Sequence, residues 1–227
     1  MSDRQPGIEA ILTLAPVVPV LVIEEAKTAV PLARALVAGG LKAIEVTFRT
    51  EAALDSIRAI AAEVEGAVVG AGTVLTAAQV DQAVDAGCRF LVSPGASDSL
   101  LSAAARSPVP LLPGAATASE AMALLEQGYS FQKFFPAEPA GGAAYLKALS
   151  QPLPAIRFCP TGGIARATAG SYLALPNVVC VGGSWVAPAD KVATGDWAAI
   201  ETLARDAAQL KASRDAAGLT AQEGCGP

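Results

Sequence analysis

The chain contains no histidine among its 227 residues. Histidine is the commonest metal ligand in proteins and the usual general base, so imidazole-based metal centres and Ser-His-Asp or Cys-His nucleophiles are excluded. Any catalysis must therefore use carboxylate, lysine, hydroxyl or backbone groups.

Cysteine is scarce as well. The four cysteines form no CxxC pair, and they are Cys88, Cys159, Cys180 and Cys225. Three of them lie in or beside apolar runs, where buried thiols are common. We therefore expect no disulfide framework and a cytoplasmic location.

Charge is sparse and unclustered. Charged residues make up 16% of the chain, and the net charge of −5 comes with no block of Lys or Arg. Binding of nucleic acid requires clustered cations, so we expect no nucleic-acid partner. The uncharged stretch 10–23 is interrupted by Pro16 and Pro19 and is too short to cross a bilayer. We expect neither a membrane span nor a signal peptide.

Short apolar runs alternate with Ala-rich stretches of helical periodicity that end on glycine. The predicted strands are residues 18–23, 42–48, 67–71, 89–93, 109–112, 131–135, 156–159 and 178–181. Apolar strands that alternate with helices indicate a parallel sheet covered by helices.

Eight such units predict a single α/β domain, a closed (β/α)8 TIM barrel over residues 1–212. An extra N-terminal helix over residues 7–14 would close its bottom. Residues 213–227 lack periodicity and are expected to form a flexible C-terminal tail. In barrels of this kind the active site lies at the C-terminal ends of the strands, and the loops after strands seven and eight often hold phosphate.

The stretch FQKFFP, residues 131–136, places a lysine among aromatic residues. Side chains alternate across a strand, so Lys133 shares a face with Phe131 and Phe135. A buried ammonium is costly unless it is paired or loses its proton, and a neutral amine is what a Schiff base requires. The alternative is a lysine held by a buried carboxylate for structure alone.

The second predicted strand supplies a matching polar face, on which Glu45, Thr47 and Arg49 lie together. A carboxylate and a guanidinium near a lysine could transfer protons and bind a substrate carboxylate. The alternative is a surface pair between Arg49 and Glu51, with Glu45 only neutralising Lys133.

Glycine-rich turns follow several strands. Gly70, Gly72 and Thr73 end the third, and the sequence SPG at 93–95 ends the fourth. The seventh and eighth strands end in paired glycines, which expose consecutive amides suited to an anion, at Gly162–Gly163 and Gly182–Gly183.

Six motifs in this order resemble the 2-keto-3-deoxy-6-phosphogluconate (KDPG) and 4-hydroxy-2-oxoglutarate (KHG) aldolases, class I enzymes of the Entner–Doudoroff pathway. The resemblance runs from about residue 8 to 210, and the motifs are EVTFRT, VGAGTV, SPG, KFFPAE, FCPTGG and GGSW.

The resemblance implies that Lys133 is the Schiff-base nucleophile and Glu45 the proton-transferring residue. It places Arg49 and Thr73 at the pyruvyl carboxylate. It further implies a substrate pocket formed by Gly72, Pro94, Phe135 and Thr161. It also implies a phosphate site formed by Gly162, Gly163, Gly182, Gly183 and Ser184. It implies no metal, no cofactor beyond the covalent lysine adduct, and a cytosolic homotrimer.

The expected activity is reversible cleavage of KDPG to pyruvate and D-glyceraldehyde 3-phosphate, and of KHG to pyruvate and glyoxylate. A chain without histidine can perform this chemistry through lysine, which favours class I over a metal-dependent aldolase. Three alternatives stay open at this point: an aldolase for the galactonate epimer, an isomerase or decarboxylase on the same phosphate-binding barrel, and a non-catalytic barrel that binds a sugar-acid phosphate.

Overall fold

The computed structural model describes residues 4–210. The predicted C-terminal tail, with Cys225, lies outside the described residues, as do residues 1–3. The described residues contain nine short strands: β1 (Val17–Leu21), β2 (Ala43–Thr47), β3 (Val68–Gly72), β4 (Phe90–Val92), β5 (Leu111–Leu112), β6 (Gly114–Ala115), β7 (Phe131–Phe134), β8 (Arg157–Pro160) and β9 (Val181–Gly183).

Helices alternate with these strands as predicted. They are α1 (Ile8–Leu12), α2 (Ala29–Ala38), α3 (Ala53–Glu63), α4 (Ala77–Asp85), α5 (Asp98–Ala104), α6 (Ala118–Glu126), α7 (Gly142–Leu149), α8 (Arg166–Leu173), α9 (Ala189–Thr194) and α10 (Trp197–Ala208). Several begin at side-chain caps, because Thr76, Ser97 and Thr117 each accept a hydrogen bond from a first-turn amide. The sequence therefore sets where α4, α5 and α6 start.

Every strand pairing is parallel. Six strands form one sheet in the order β5-β4-β3-β2-β1-β9, and three form another in the order β6-β7-β8. Pro113 separates β5 from β6, since proline has no amide hydrogen for the ladder. Isolated parallel bridges join Phe158 to Val178 and Thr161 to Gly182. The prediction of an α/β fold with a curled parallel sheet is confirmed, whereas closure into one complete barrel stays a prediction.

Two clusters of buried apolar side chains lie on the two faces of the strands. The outer cluster includes Leu91 and packs the strands against the helices. The inner cluster takes the alternate residues Phe90 and Val92, and it also contains Ile8 and Leu12 from one face of α1. Most strands are therefore apolar on both faces, which is the pattern expected of parallel strands covered by helices.

Gln5, just before α1, anchors the N-terminal segment to the sheet. Its side-chain amide donates to the carbonyls of Leu111 at 2.8 Å and Phe131 at 2.7 Å, and its oxygen accepts from the Phe131 amide at 2.9 Å. Both partners begin their strands, so α1 sits at the N-terminal ends, opposite the predicted site. Within residues 4–210, no helix is long and apolar enough to cross a membrane.

Candidate active site

Most predicted site residues lie at or just beyond the C-terminal ends of strands, and Glu45 lies in the middle of β2. Parallel pairing brings these ends to one edge of the sheet. Residues that are far apart in the sequence therefore meet there, and Lys133 and Glu45 are the clearest case.

Lys133 and Glu45 form a buried ion pair. The Lys133 Nζ atom lies 3.2 Å from Glu45 Oε1, and each side chain is only 4% exposed. Charges buried this deeply must be paired, because removing either partner would leave the other uncompensated. The lysine is thus held beside a carboxylate that can accept or return its proton.

The other side chains of β7 explain why Lys133 points inward. Gln132 faces the helices, where its Nε2 donates to the carbonyls of Ala121 and Tyr129 at 2.9 Å each. Phe134 faces the same way and stacks on Tyr145, with ring centroids 5.7 Å apart. The inward face therefore carries Lys133, whose Nζ lies 5.3 Å from the centroid of the Phe135 ring.

Gly72 makes room for the Glu45 carboxylate. A Cβ atom at position 72 would lie 2.2 Å from Glu45 Oε1 and 2.7 Å from its Cδ, which no real side chain could do. The adjacent Thr73 has φ of 57°, a left-handed conformation that is costly for a β-branched residue. Such strain in a partly exposed residue beside a buried ion pair is typical of functional positions.

Pro94 packs against β6, the strand that pairs with the lysine strand β7. A Cβ atom at Gly114 would lie 2.3 Å from the backbone carbon and oxygen of Pro94. The backbones at Gly114 and Pro94 therefore pack together without a side chain between them. Gly114 is also the register partner of Lys133. Gly114 therefore lies between Pro94 and the Lys133 backbone.

Arg49 is a predicted site residue that forms no polar contact with the other predicted site residues in the described part of the chain. Its guanidinium is exposed, and it forms no ion pair or hydrogen bond with any residue between 4 and 210. The alternative surface pair with Glu51 is therefore absent from the described residues. This guanidinium, without a polar partner in the described part of the chain, lies two residues beyond the end of β2.

Thr161 and Gly182 meet where β8 and β9 end. A Cβ atom at Gly182 would lie 2.2 Å from Thr161 Oγ1, so this glycine accommodates the threonine side chain. The Thr161 hydroxyl is buried and has no hydrogen-bond partner among the described residues. Buried hydroxyls are normally paired, so this one is available to a ligand.

The glycine turn Gly162–Gly163 follows Thr161 directly. Its residues have φ of 105° and 80°, a left-handed region that favours glycine. The amides of Gly162, Gly163 and Ser184 donate no hydrogen bond to any residue of the described range. Gly183 is buried, and the Trp185 ring occupies the space where its Cβ would be.

Two residues near the site, Glu138 and Tyr172, were not predicted from the sequence. Glu138 lies in the KFFPAE motif, but no role followed from the motif alone. Tyr172 lies on α8 among ordinary apolar residues, and its hydroxyl donates to Glu138 Oε1 at 2.7 Å. A carboxylate in a loop after a strand was the only available signal, and nothing in the sequence marked its tyrosine partner.

A cavity of about 670 Å³ opens beside Ser184, between the ends of β1 and β9. Its lining includes Leu21, Val22 and Trp185, and it is mainly apolar. Neither Lys133 nor Glu45 lines it, so it is not the site of the lysine chemistry. Among residues 4–210 no three His, Cys, Asp or Glu side chains are grouped as a metal site would require.

Comparison with known proteins gives one consistent family. The family model described as KDPG and KHG aldolase matches residues 8–203. The KHG/KDPG aldolase of Escherichia coli K12 is 50% identical over 209 residues, which cover 92% of this chain and 98% of that protein. The 2-dehydro-3-deoxy-phosphogluconate aldolase of Pseudoalteromonas atlantica is 53% identical over 192 residues, covering 85% of this chain and 89% of that protein.

Solved structures agree with the sequence relatives. The KDPG aldolase of Legionella pneumophila, crystallised with pyruvate captured as a covalent carbinolamine intermediate, superimposes with a TM-score of 0.86. It is 44% identical and covers 88% of this chain and 97% of its own.

Proposed function

This chain belongs to the KDPG and KHG aldolase family, and from that premise we propose that it is a class I aldolase that uses Lys133 as its Schiff-base nucleophile. It reversibly cleaves KDPG to pyruvate and D-glyceraldehyde 3-phosphate. It cleaves KHG to pyruvate and glyoxylate by the same steps.

The observation that carries the proposal is the buried contact between Lys133 Nζ and Glu45 Oε1 at 3.2 Å. An ammonium cannot attack a ketone, because its nitrogen has no free electron pair. A carboxylate within hydrogen-bond distance can remove the proton and give the neutral amine that the reaction needs.

The reaction then follows the steps of a Schiff-base aldolase. The Lys133 amine adds to the C2 ketone to give a carbinolamine. Glu45 returns the proton it took from the ammonium to the carbinolamine hydroxyl, which leaves as water and gives an iminium ion. Glu45, directly or through a water molecule, removes the C4 hydroxyl proton while the C3–C4 bond breaks and its electron pair moves toward the iminium nitrogen. The aldehyde leaves, and Glu45 gives the proton it took from the C4 hydroxyl to C3 of the enamine, which re-forms an iminium ion. Addition of water to this iminium releases pyruvate and regenerates the Lys133 amine.

The two charged ends of the substrate have separate binding groups. Arg49 and Thr73 bind the pyruvyl carboxylate. The guanidinium of Arg49 supports this role, because it is exposed and has no polar partner among residues 4–210. Pro94, Phe135 and Gly72 shape the pocket around the ketoacid, and Thr161 contacts the C4 centre. The free amides around the glycine turn favour a phosphate site formed by Gly162, Gly163, Gly182, Gly183 and Ser184.

The test is reductive trapping. Treatment with pyruvate and borohydride should attach a pyruvyl adduct to Lys133 alone and abolish KDPG cleavage. Lys133→Ala should give neither adduct nor activity, whereas the control Lys147→Ala, an exposed lysine on α7, should give both. Glu45→Gln should form the adduct slowly and lose at least about 100-fold in kcat. A fully active Lys133→Ala enzyme would refute the mechanism.

We also propose how the two sheets are joined. The two parallel sheets close into one TIM barrel over residues 1–212, with α1 covering its N-terminal end. The isolated bridges between β8 and β9 and the inner cluster that includes Ile8 support this closure. A homotrimer in the cytoplasm follows from the family resemblance alone.

A further inference from the structure

A partly buried polar contact between Tyr172 and Glu138 lies away from the lysine, beside the glycine turn Gly162–Gly163. Tyr172 is only 1% exposed, and its hydroxyl donates to Glu138 Oε1 at 2.7 Å. Burial, and then the hydrogen bond and charge of Glu138, raise the pKa of the Tyr172 phenol. The phenol is therefore protonated and acts as the donor throughout the neutral range.

Glu138 also contacts the turn through its backbone. Its amide donates to the Gly162 carbonyl at 3.0 Å, and the preceding Ala137 amide donates to the Thr161 carbonyl at 2.8 Å. A Cβ atom at Gly163 would lie 2.8 Å from Glu138 Cβ and 2.9 Å from its Cγ. The turn thus rests directly on the Glu138 backbone and side-chain stem.

Tyr172 connects this arrangement to α8, the helix that follows the turn. The turn leaves β8 at Pro160, and α8 begins at Arg166. The start of this segment accepts backbone hydrogen bonds from the loop after β7. The helix at its other end binds the same loop through the Tyr172–Glu138 hydrogen bond. Neither residue approaches the Lys133–Glu45 pair within hydrogen-bond distance.

We propose that Tyr172 and Glu138 are positioning residues that hold the Gly162–Gly163 turn in the conformation that binds the substrate phosphate. This inference rests on the proposed function, because it concerns the phosphate end of that substrate. A turn that is already ordered does not have to be immobilised when the ligand binds. The entropic cost of binding is then smaller, and the ligand binds more tightly. The lysine chemistry does not depend on the contact.

The test separates phosphate binding from bond cleavage. Tyr172→Phe removes only the hydroxyl, and it should raise KM for KDPG about fivefold, the effect of losing one hydrogen bond, while kcat stays within about twofold. The same variant should cleave KHG, which has no phosphate, with kcat/KM within about twofold of wild type. Exchange of the pyruvate methyl protons should also be unchanged.

Further variants distinguish a positioning role from a general loss of packing. Glu138→Ala should match Tyr172→Phe, and the double variant should be no worse than either single one, because both remove the same contact. Glu138→Gln retains an acceptor oxygen and should recover most of the affinity. The control Tyr145→Phe removes another hydroxyl, one that accepts from the Ala118 amide at 3.2 Å, and it should leave KM for KDPG unchanged.

Equal losses with KDPG and KHG in Tyr172→Phe would overturn the inference, as would an unchanged KM for KDPG. Binding of inorganic phosphate, measured by titration calorimetry, keeps the two proposals distinct. If the wild-type protein fails to cleave KDPG, the proposed function is wrong. Phosphate binding that is about fivefold weaker in Tyr172→Phe would still support the positioning role, and equal binding would refute it.

Discussion

At the scale of single residues, the site depends on glycines that create space for polar side chains. Gly72 is the sharpest example, since its missing Cβ is where the Glu45 carboxylate lies. From the family resemblance, Gly72 was predicted to form part of the substrate pocket. The structure gives it a different contact, with a side chain of the protein itself. No sequence pattern could show this, because the two residues meet only through the pairing of β2 with β3.

Gly72→Ala should therefore reduce activity without unfolding the protein. The new methyl group would force the Glu45 carboxylate away from Lys133 Nζ, and a displacement of about 1 Å can cost about 100-fold in rate. We expect kcat for KDPG to fall by about that factor and borohydride trapping with pyruvate to slow.

Gly170→Ala is the matched control, because a Cβ atom there would meet nothing within 4 Å. It should keep full activity and slightly raise Tm, as alanine favours a helix more than glycine does. Wild-type kcat in Gly72→Ala would show that the Glu45 position is not critical.

At the scale of elements, α6 shows how a helix start can be tied to pH. Thr117 accepts from the Glu120 amide, and the Glu120 carboxylate accepts from the amides of Ala116 at 2.8 Å and Thr117 at 2.9 Å. The hydrogen bond from Ala116 is the main cause that lowers the pKa of Glu120 below its ordinary value of 4.5. The ionised carboxylate therefore stabilises the folded state.

Because the folded pKa is lowered, this stabilisation is present above about pH 4.5 and is lost as the pH falls through the lower, folded value. Glu120→Gln should lower Tm at pH 7 and have progressively less effect below pH 4.5. Thermal unfolding across this range would measure it. The cap of α4 is a neutral comparison, since Gln79 Oε1 accepts there from the Leu75 amide at 2.7 Å. Gln79→Ala should lower Tm by the same amount at pH 7 and below pH 4.5. If the effect of Glu120→Gln on Tm did not change with pH, the Glu120 carboxylate would not stabilise the helix start through its charge.

The elements themselves were largely predictable, because their signals are local. Each predicted strand has a counterpart, since apolar runs between helical stretches leave few other choices. The differences arise from non-local pairing. The strand predicted at 178–181 begins only at Val181, because pairing of β9 with β1 covers Val181–Gly183. The chain resumes pairing after Pro113 as β6, which the sequence run ending at Leu112 did not indicate.

At the scale of the whole molecule, the repeated strand and helix pattern was sufficient to predict the α/β class, and the motif order was sufficient to predict the family. Alternation along the strands predicted which residues share a face with Lys133 and with Glu45, and the structure shows that both faces point inward. The Tyr172–Glu138 contact could not be predicted, because it joins a loop and a helix through side chains that carry no shared pattern. Local periodicity is visible in a sequence, whereas contacts between separate loops are not.

The two core clusters share strands, and this predicts cooperative opening of the whole molecule. Cys88 lies in the outer cluster, whereas Cys159 and Cys180 lie in the inner one, and all three are buried. Because alternate residues of one strand belong to different clusters, neither cluster can separate while the other stays packed. Burial also raises the pKa of the Cys88 thiol to about 12, so it stays protonated and unreactive in the folded state at pH 8.

Alkylation with iodoacetamide at pH 8 along a urea series tests this, in a Cys225→Ser background that leaves only the three buried thiols. Mass spectrometry of the peptides should show no modification in the absence of urea. All three cysteines should then become modified at one urea midpoint, the same midpoint that circular dichroism gives for loss of helix. If Cys159 and Cys180 reacted at a lower urea concentration than Cys88, the inner cluster would open independently. The strands would then not couple the two faces of the sheet.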